Sequence, residues 1–440
     1  MNRIFLLFAI FVWFSMSVEG QTSTWKFDFG SAKSPNGYTP VDASTTYSDS
    51  LGYGFDFGTH PRNFLCGGTS PVTATGCHDT KTFFFSVALP EGNYDVKLIL
   101  GGASTPSVTT VKAETRRLML THIATKKGEV STQAFTVNIR NSRINDTISV
   151  KLKPREKTKL DWDNKLTFEF GDKHPSVVAI EITPNKTAPT VFLCGNSTVV
   201  DQDNEPWCGW GQMLTSFLKK GVAVANYAES GEAGNSFISA RRLAKALTQM
   251  KKGDYVFVEF GHNDQKQKGE GVGPFGSYQK SLKVFIDEAR KKGATPVIVT
   301  SMHRRNFDAE GKVINTLGDF PEAARQLAKA ENVALIDLNA KSKILYEAWG
   351  EKNSVKAFVH YKAGTFEGQT ADLADNTHFN SYGGYELAKC IVEGCIENKL
   401  DFMRFLRPEY THFDPAHPDA FESFSIPLSP FKSIEKPDGN

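Results

Sequence analysis

The chain has 440 residues, of which 40% are hydrophobic and 23% are charged, and its formal net charge is +2. This length is enough for two or three domains, each with its own hydrophobic core. The near-neutral charge argues against a nucleic acid or a membrane surface as partner, and it leaves a neutral or sugar-like substrate open.

The first 20 residues have the pattern of a secretory signal peptide. Arg3 supplies the positive charge, and residues 4–14 form the apolar centre. Val18 and Gly20 are the small residues before a cut near Gln21. The apolar stretch is too short for a membrane span, and no later stretch is long enough. The sequence therefore predicts a secreted or periplasmic protein without a membrane span.

Six cysteines suit an oxidising compartment but are too few for a disulfide-dense scaffold. The spacing allows two pairs, Cys66 with Cys77 and Cys194 with Cys208. Cys390 and Cys395 lie on divergent faces of one predicted helix, so a bond between them would be strained, and buried free thiols explain them equally well. No group of Cys and His has the spacing of a zinc site, so neither a metal nor another cofactor is predicted.

Residues 21–186 have the pattern of an all-β sandwich domain. Short aromatic or β-branched runs alternate with turn residues, and residues 94–100 show the period of a half-buried strand. Aromatic side chains in such a domain can stack on sugar rings, although they more often fill the core. A polar segment with two prolines, residues 183–189, predicts the linker to the next domain.

Residues 187–400 alternate between strand-like and helical patterns, which predicts a parallel sheet covered by helices on both faces. The predicted strands are 191–194, 222–225, 255–260, 296–301 and 333–337, and the predicted helices are 211–219, 237–250, 278–292, 321–331 and 382–398. In such a sheet the functional residues lie just beyond the carboxyl ends of the strands.

Four short segments occupy such positions. They are Gly195-Asn196-Ser197 after the first strand, Gly231 at a helix start after the second, Gly261-His262-Asn263-Asp264 after the third, and Asp375-Asn376-Thr377-His378 before the last helix. Asn380 or Ser381 can cap that helix. Each residue alone is more often a turn or cap residue. The occurrence of all four segments in this order, each where a parallel sheet has its functional site, favours a catalytic role.

These segments supply the groups that acyl transfer from an ester requires. A serine hydroxyl needs a base to take its proton, and His378 is the candidate base for Ser197. Asp375 lies three residues from His378 and can orient the imidazole and stabilise its cation. The backbone N–H groups of Ser197 and Gly231 and the Asn263 amide can bind the oxyanion, and each donor contributes about 3 kcal/mol.

The four segments resemble the sequence blocks of the SGNH (GDSL-type) hydrolases. Further stretches, GWGQML, GHNDQ, RRNFD, LIDLNAKS and DNTHF, resemble the rhamnogalacturonan acetylesterases of carbohydrate esterase family 12. The β-rich leader resembles the galactose-binding-like domain that precedes the catalytic domain of some members. This resemblance implies a three-layer α/β/α domain with a parallel, flavodoxin-like sheet. The sequence departs from the family at Asn196, where Asp is common, and in the helix after Gly231, which lacks an expected arginine.

Carried over to this sequence, the resemblance implies a secreted serine esterase that removes O-acetyl groups from pectic rhamnogalacturonan through an acyl-enzyme intermediate. Its nucleophile is Ser197, its base His378 and its orienting acid Asp375, while the oxyanion hole consists of Ser197, Gly231 and Asn263. The substrate is an acetylated polysaccharide or oligosaccharide. The alternatives are an acetylesterase for xylan or another glycan, a lipase-type esterase, and a non-catalytic carbohydrate-binding protein.

Two pairs of residues are candidates to bind this substrate. Arg304 and Arg305 follow the fourth strand and can bind carboxylates, unless they only brace their own loop. Trp207 and Trp210 can form a platform for a sugar ring, unless they belong to the core.

The last segment, residues 401–440, is rich in proline and aromatic residues and has little periodicity. This pattern predicts an extended tail that wraps around the enzyme domain and forms no domain of its own.

Overall fold

A computed structural model of the protein describes residues 24–30, 33–66 and 71–437. The predicted signal peptide, residues 1–20, lies outside the described residues. Among the residues that the structure describes, no helix has the length and apolar character needed to cross a membrane. The chain forms a β-rich region, then an α/β region, and finally a tail.

The β-rich region is a sandwich of two sheets. Its strands are β1 Trp25–Phe29, β2 Thr39–Val41, β3 Tyr53–Asp56, β4 Arg62–Leu65, β5 Thr75–His78, β6 Phe83–Ala88, β7 Gly92–Gly101, β8 Ser107–Ala113, β9 Arg117–Thr125, β10 Val130–Ile139, β11 Lys165–Gly171, β12 Ser176–Val177 and β13 Ala179–Pro184. The described strands of one sheet have the order β10-β7-β13-β1-β2, and those of the other have the order β3-β6-β11-β8-β9. A small third sheet has the order β12-β5-β4.

Aromatic side chains fill the space between the two larger sheets. The ring centroid of Phe85 in β6 lies 4.9 Å from that of Phe29 and 5.3 Å from that of Phe27, both in β1. These rings are almost fully buried because alternate residues of each strand point to the same side of a sheet. The predicted β-sandwich is confirmed, and most of its aromatic residues belong to the core.

The α/β region contains a parallel sheet and a short hairpin. Its strands are β14 Thr190–Gly195, β15 Ala223–Asn226, β16 Tyr255–Glu259, β17 Thr295–Val299, β18 Ala334–Ile336, β19 Phe358–Tyr361 and β20 Leu373–Phe379, and its helices are α1 Trp210–Leu214, α2 Gly234–Ser239, α3 Arg242–Gln249, α4 Gln279–Lys291, α5 Phe320–Ala330, α6 Leu338–Ser354 and α7 Ser381–Glu397. The order β15-β14-β16-β17-β18, with parallel pairing throughout, is the flavodoxin-like order 2-1-3-4-5.

Helices cover both faces of this sheet. One face packs against α1, α6 and α7 through apolar residues such as Leu214 and Leu387. The other face packs against α3, α4 and α5 through residues such as Phe285. The predicted three-layer α/β/α architecture is therefore confirmed, and in such a fold ligands bind at the carboxyl ends of the strands.

The structure differs from the predicted elements in one broken helix, one additional helix and one hairpin. The predicted helix 237–250 is broken into α2 and α3 at Arg241, whose φ of +65° is left-handed. The break turns Arg242 inward, where its guanidinium pairs with Glu156 of the β-rich region. The helix α6 and the hairpin β19–β20 were not predicted. The predicted cap of α7 is confirmed, because Asn380 Oδ1 accepts a hydrogen bond from the Gly383 N–H at 3.1 Å.

All six cysteines lie in the described part of the chain, and all are free thiols. The disulfides that the spacing allows are therefore absent. For Cys194 and Cys208 the reason is clear, since their side chains join hydrophobic clusters on opposite faces of the parallel sheet.

The described part of the tail, residues 401–437, is largely extended and contacts both regions. It packs on the sandwich, where the ring of Phe431 lies 5.4 Å from Phe57 and 5.2 Å from Phe84. It also pairs with the α/β region through a backbone bridge between Glu205 and Lys432. The tail therefore links the two regions.

Candidate active site

The turn after β14 carries the predicted nucleophile. A Cβ atom at Gly195 would lie 2.6 Å from the Val199 side chain, so only glycine fits at the end of this strand. Asn196 Oδ1 accepts hydrogen bonds from the Thr198 N–H at 3.0 Å and from Thr198 Oγ1 at 2.8 Å. An aspartate oxygen would accept the same bonds, so Asn196 preserves the turn that presents Ser197.

The structure brings Ser197, His378 and Asp375 together. His378 Nε2 lies 2.9 Å from Ser197 Oγ, and His378 Nδ1 lies 2.9 Å from Asp375 Oδ2. The other carboxylate oxygen of Asp375 accepts the backbone N–H groups of Thr377 and His378 at 2.7 and 2.9 Å. Asp375 and His378 both lie on β20, just before α7. The arrangement can pass a proton from the hydroxyl to a fixed imidazole.

Burial and hydrogen bonding set the charges of this group. Burial disfavours the ionised form of Asp375, but the bonds from His378 and the two backbone N–H groups hold its pKa well below the usual range. Burial also lowers the pKa of His378, against the opposing effect of Asp375. The site therefore pairs an ionised carboxylate with a neutral imidazole at neutral pH, as a general base requires.

Two of the three predicted oxyanion donors, Gly231 and Asn263, lie on adjacent turns, and the third is the backbone N–H of Ser197. Gly231 has a φ of +81° and lies in a turn closed by the Glu232 N–H on the Glu229 carbonyl at 3.2 Å. Asn263 donates from Nδ2 to the Glu232 carbonyl at 3.1 Å, which places its amide one residue from Gly231. Gln202 links this turn to the nucleophile, because its Nε2 lies 2.9 Å from the Ser197 carbonyl and 3.4 Å from Ser230 Oγ.

A cavity of about 350 Å³ lies beside Ser230, which precedes Gly231, and beside Trp207, whose ring contacts His378. Its lining comes from the β-rich region, the α/β region and the tail, and includes Lys153, Arg155, Asp203, Trp207, Ser230 and Lys436. Lys436 Nζ lies 3.4 Å from Asp375 Oδ2, so the tail reaches the triad. Part of a bound substrate can therefore contact all three parts of the chain.

The predicted tryptophan platform is wrong for Trp210. This side chain is fully buried, and its indole N–H donates to Glu259 Oε2 at 2.6 Å beneath the nucleophile turn. Trp207 is also almost fully buried; its ring lies edge-on to His378 at 5.5 Å between centroids, and its indole N–H donates to the Ser433 carbonyl at 2.9 Å. Both rings thus support catalytic residues or the tail and expose almost no face to a sugar.

The structure places the two arginines in loops beside the site. Arg304 donates to Thr316 Oγ1 at 3.1 Å and lies 3.5 Å from the His262 carbonyl. Arg305 donates to Ser354 Oγ at 2.9 Å and to Asn376 Oδ1 at 3.2 Å, next to Asp375. These bonds brace the loops, and a contact of either arginine with substrate stays a prediction.

The β-rich region contributes side chains to the site that no sequence pattern predicts. Lys153, Arg155 and Lys159 reach the turn that carries Gly231, and Arg116 donates to the Gln202 and Trp207 carbonyls at 3.1 and 3.0 Å. No local signal marks these residues, because their partners lie about 70 to 90 positions away in the chain.

Within residues 24–30, 33–66 and 71–437, no three His, Cys, Asp or Glu side chains are grouped so as to hold a metal ion.

Two family models match the chain. Residues 193–384 match the GDSL-like lipase/acylhydrolase family, and residues 25–153 match the β-agarase/YXIM esterase-like, galactose-binding domain-like family. These ranges fall in the α/β region and the β-rich region, respectively.

The chain is also similar to two proteins of Bacillus subtilis. It is 43% identical to the rhamnogalacturonan acetylesterase RhgT of Bacillus subtilis over 209 residues, which are 47% of this chain and 89% of RhgT. It is 24% identical to the uncharacterized esterase YxiM of Bacillus subtilis over 384 residues, which are 85% of this chain and 91% of YxiM. The crystal structure of YxiM has a TM-score of 0.45 and 25% identity, and the match covers 86% of this chain and 99% of that structure.

Proposed function

The chain belongs to the GDSL-like lipase/acylhydrolase family, and we propose that it removes O-acetyl groups from pectic rhamnogalacturonan through an acyl-enzyme intermediate. Its family and its acetylesterase relatives make it a carbohydrate acetylesterase. The choice of glycan rests on the 43% identity with RhgT, a rhamnogalacturonan acetylesterase. The cavity is lined by Lys153, Arg155 and Lys436 together with the carboxylates Asp203 and Glu435, so its charge does not by itself select a glycan.

The observation that carries the proposed mechanism is the hydrogen-bonded chain from Ser197 Oγ through His378 to Asp375, with both links at 2.9 Å. In the first step Ser197 Oγ attacks the acetyl carbonyl carbon, and its proton passes to His378 Nε2. Asp375 holds the other ring nitrogen and stabilises the imidazolium. His378 then gives the proton to the sugar oxygen, which leaves as an alcohol.

The negative charge that develops on the carbonyl oxygen needs donors that are in place beforehand. The Ser197 and Gly231 N–H groups and the Asn263 amide take this role in the proposed mechanism. In the second step His378 takes a proton from water, which attacks the acetyl group on Ser197. Collapse of this intermediate returns the proton to Ser197 Oγ and releases acetate.

The test is acetate release by the purified protein from acetylated rhamnogalacturonan, acetylxylan and a long-chain nitrophenyl ester, at matched acyl concentrations. We expect the highest kcat/KM on acetylated rhamnogalacturonan. Ser197→Ala is the blank for each substrate. Equal or faster release from acetylxylan would reject the proposed glycan while leaving the esterase mechanism in place.

We also propose that the protein is exported, because residues 1–20 have the pattern of a signal peptide. Expression of the full chain in a host with a secretion pathway should yield a mature protein that begins near Gln21. Amino-terminal sequencing of the protein from the medium or periplasm checks this, and an intact amino terminus inside the cell would contradict it.

A further inference from the structure

The β-sandwich extends one segment, residues 153–159, onto the turn that carries Gly231. Lys153 Nζ donates to the Ser230 carbonyl oxygen at 2.6 Å, and Arg155 donates from one guanidinium nitrogen to the same oxygen at 3.0 Å. Two cations from the β-rich region thus converge on the peptide group immediately before Gly231.

The neighbouring carboxylate is held by the same segment. Glu229 Oε1 accepts from Arg155 at 2.6 Å, and Glu229 Oε2 accepts from Lys159 Nζ at 2.9 Å. Glu229 and Lys159 are 1% and 2% exposed. Burial opposes the charge of Glu229, but Lys159, Arg242 and Arg155 outweigh this effect and hold its pKa well below the usual range. The turn is therefore anchored on two successive residues.

The bonds to the Ser230 carbonyl have a direct consequence for the Gly231 N–H. Both groups belong to one planar trans peptide, in which the C=O and N–H bonds point in opposite directions. A carbonyl directed at Lys153 and Arg155 therefore directs the Gly231 N–H away from the β-sandwich. Nearby cations also polarise the peptide, which makes its N–H a stronger donor.

Glycine makes this anchoring necessary. Gly231 has a φ of +81°, and glycine tolerates positive and negative φ almost equally. The Ser230–Gly231 peptide can therefore rotate at little steric cost unless its carbonyl is held. An N–H group that has rotated away from the site gives no stabilisation to an oxyanion.

We propose that Lys153 and Arg155 are positioning residues of the esterase reaction, which fix the direction of the Gly231 N–H in the oxyanion hole. This inference rests on the proposed role of Gly231. The galactose-binding-like domain would then contribute to catalysis, in addition to any role that it has in binding carbohydrate.

The test measures hydrolysis of 4-nitrophenyl acetate by the full chain with Lys153→Met, Arg155→Met and both changes together. This substrate has no sugar, so effects on glycan binding do not enter. We expect kcat to fall about 10- to 100-fold in the double variant while KM changes less than about two-fold, because one of three donors is misdirected and the nucleophile is intact. Arg155→Lys, which keeps one donor for the carbonyl, should recover part of the loss.

A second readout isolates the oxyanion hole. Phenylboronic acid forms a tetrahedral adduct with a serine oxygen, and one boron-bound oxygen occupies the oxyanion position. Its inhibition constant should rise by about the same factor as kcat/KM falls, because both report binding of the tetrahedral state. A purely structural role for Lys153 and Arg155 predicts no such proportionality.

The matched control is Lys165→Met. Lys165 belongs to the same domain, has similar exposure and pairs with Asp56 at 3.1 Å, but does not contact the 229–232 turn. It should leave kcat and boronate inhibition unchanged. All variants are checked by thermal unfolding, and Lys153 and Arg155 are 27% and 31% exposed, which favours folding after substitution.

A folded double variant with kcat and boronate inhibition within two-fold of the unsubstituted protein would overturn the inference. This outcome differs from failure of the proposed glycan. In that case the unsubstituted protein hydrolyses 4-nitrophenyl acetate and fails to release acetate from rhamnogalacturonan, while the variants still test the role of Lys153 and Arg155.

Discussion

The two halves of the candidate site are held in different ways. The three side chains of the triad half all come from the α/β region: Ser197, His378 and Asp375 bond to one another, and Asp375 also accepts two backbone N–H groups. From outside this region, Lys436 of the tail forms an ion pair with the triad, 3.4 Å from Asp375 Oδ2. The oxyanion half is held from outside, since cations of the β-sandwich bind Glu229 and the Ser230 carbonyl. The α/β region thus supplies the catalytic side chains, while the direction of the Gly231 N–H depends on the β-sandwich.

The interface between the two regions is itself built on buried charge. Arg117 of β9 is 1% exposed and pairs with Asp161 of the β-rich region at 3.0 Å and with Asp201 of the α/β region at 2.7 Å. Such pairs hold one orientation, because any other arrangement leaves a buried charge without a partner. The oxyanion half can rely on the β-sandwich only if this interface is rigid.

The largest expected effect comes from the triad half. Ser197→Ala should lower kcat by about 10⁶-fold, because the remaining groups cannot supply a nucleophile. Acetate release or nitrophenol release measures the loss. Ser239 is an exposed residue of α2 whose hydroxyl donates to the Ser236 carbonyl, and it provides a control, since Ser239→Ala should leave activity unchanged. Substantial turnover by Ser197→Ala would show that another group attacks the ester, and the division into two halves would fail.

Asp375→Asn tests the role of Asp375 in the triad half and its independence from the oxyanion half. The amide cannot stabilise the imidazolium and favours the wrong tautomer of His378, so kcat should fall about 10⁴-fold. Nitrophenol release at saturating substrate measures this. Inhibition by phenylboronic acid should retain its sensitivity to Arg155→Met in this background, because the oxyanion half is anchored separately. A loss smaller than about ten-fold would mean that Asp375 does not orient the base.

Arg117→Met tests the interface that supports the oxyanion half. The free energy of unfolding should fall by about 3–5 kcal/mol, because Asp161 and Asp201 are left buried with less compensation. Urea denaturation measures the change. Lys97→Met removes an exposed pair with Glu181, and this control should cost less than about 1 kcal/mol. Equal effects of the two substitutions would show that the buried pairs do not stabilise the interface.

The smallest effect is the pH dependence of the base. Burial lowers the pKa of His378 despite Asp375, so the neutral, active imidazole persists below the usual midpoint near pH 6.5. The acid limb of kcat/KM should therefore have its midpoint below that pH. Asp375 favours the protonated ring, so Asp375→Asn should shift the limb to still lower pH. A midpoint above 6.5 on a small neutral ester would contradict this assignment of charges.

Patterns within short segments predicted a large part of this molecule. The parallel sheet follows from strand and helix periods, and the triad follows from groups placed at strand ends. The same patterns failed where a distant partner decides the outcome. The break at Arg241 lies next to Arg242, which is buried against Glu156 some 86 positions earlier. Likewise, the sequence around Trp210 does not show that its indole N–H binds Glu259 in the core, 49 positions along the chain.

The sequence alone determined which chemical groups are available, because strand ends, a glycine turn and the Asp375–His378 spacing are local properties of the chain. The tertiary structure decided how these groups are oriented. The direction of the Gly231 N–H depends on Lys153 and Arg155, which lie 77 and 75 positions from their Ser230 partner. Hydrogen bonds act over about 3 Å, so only folding can bring such partners within range of one another.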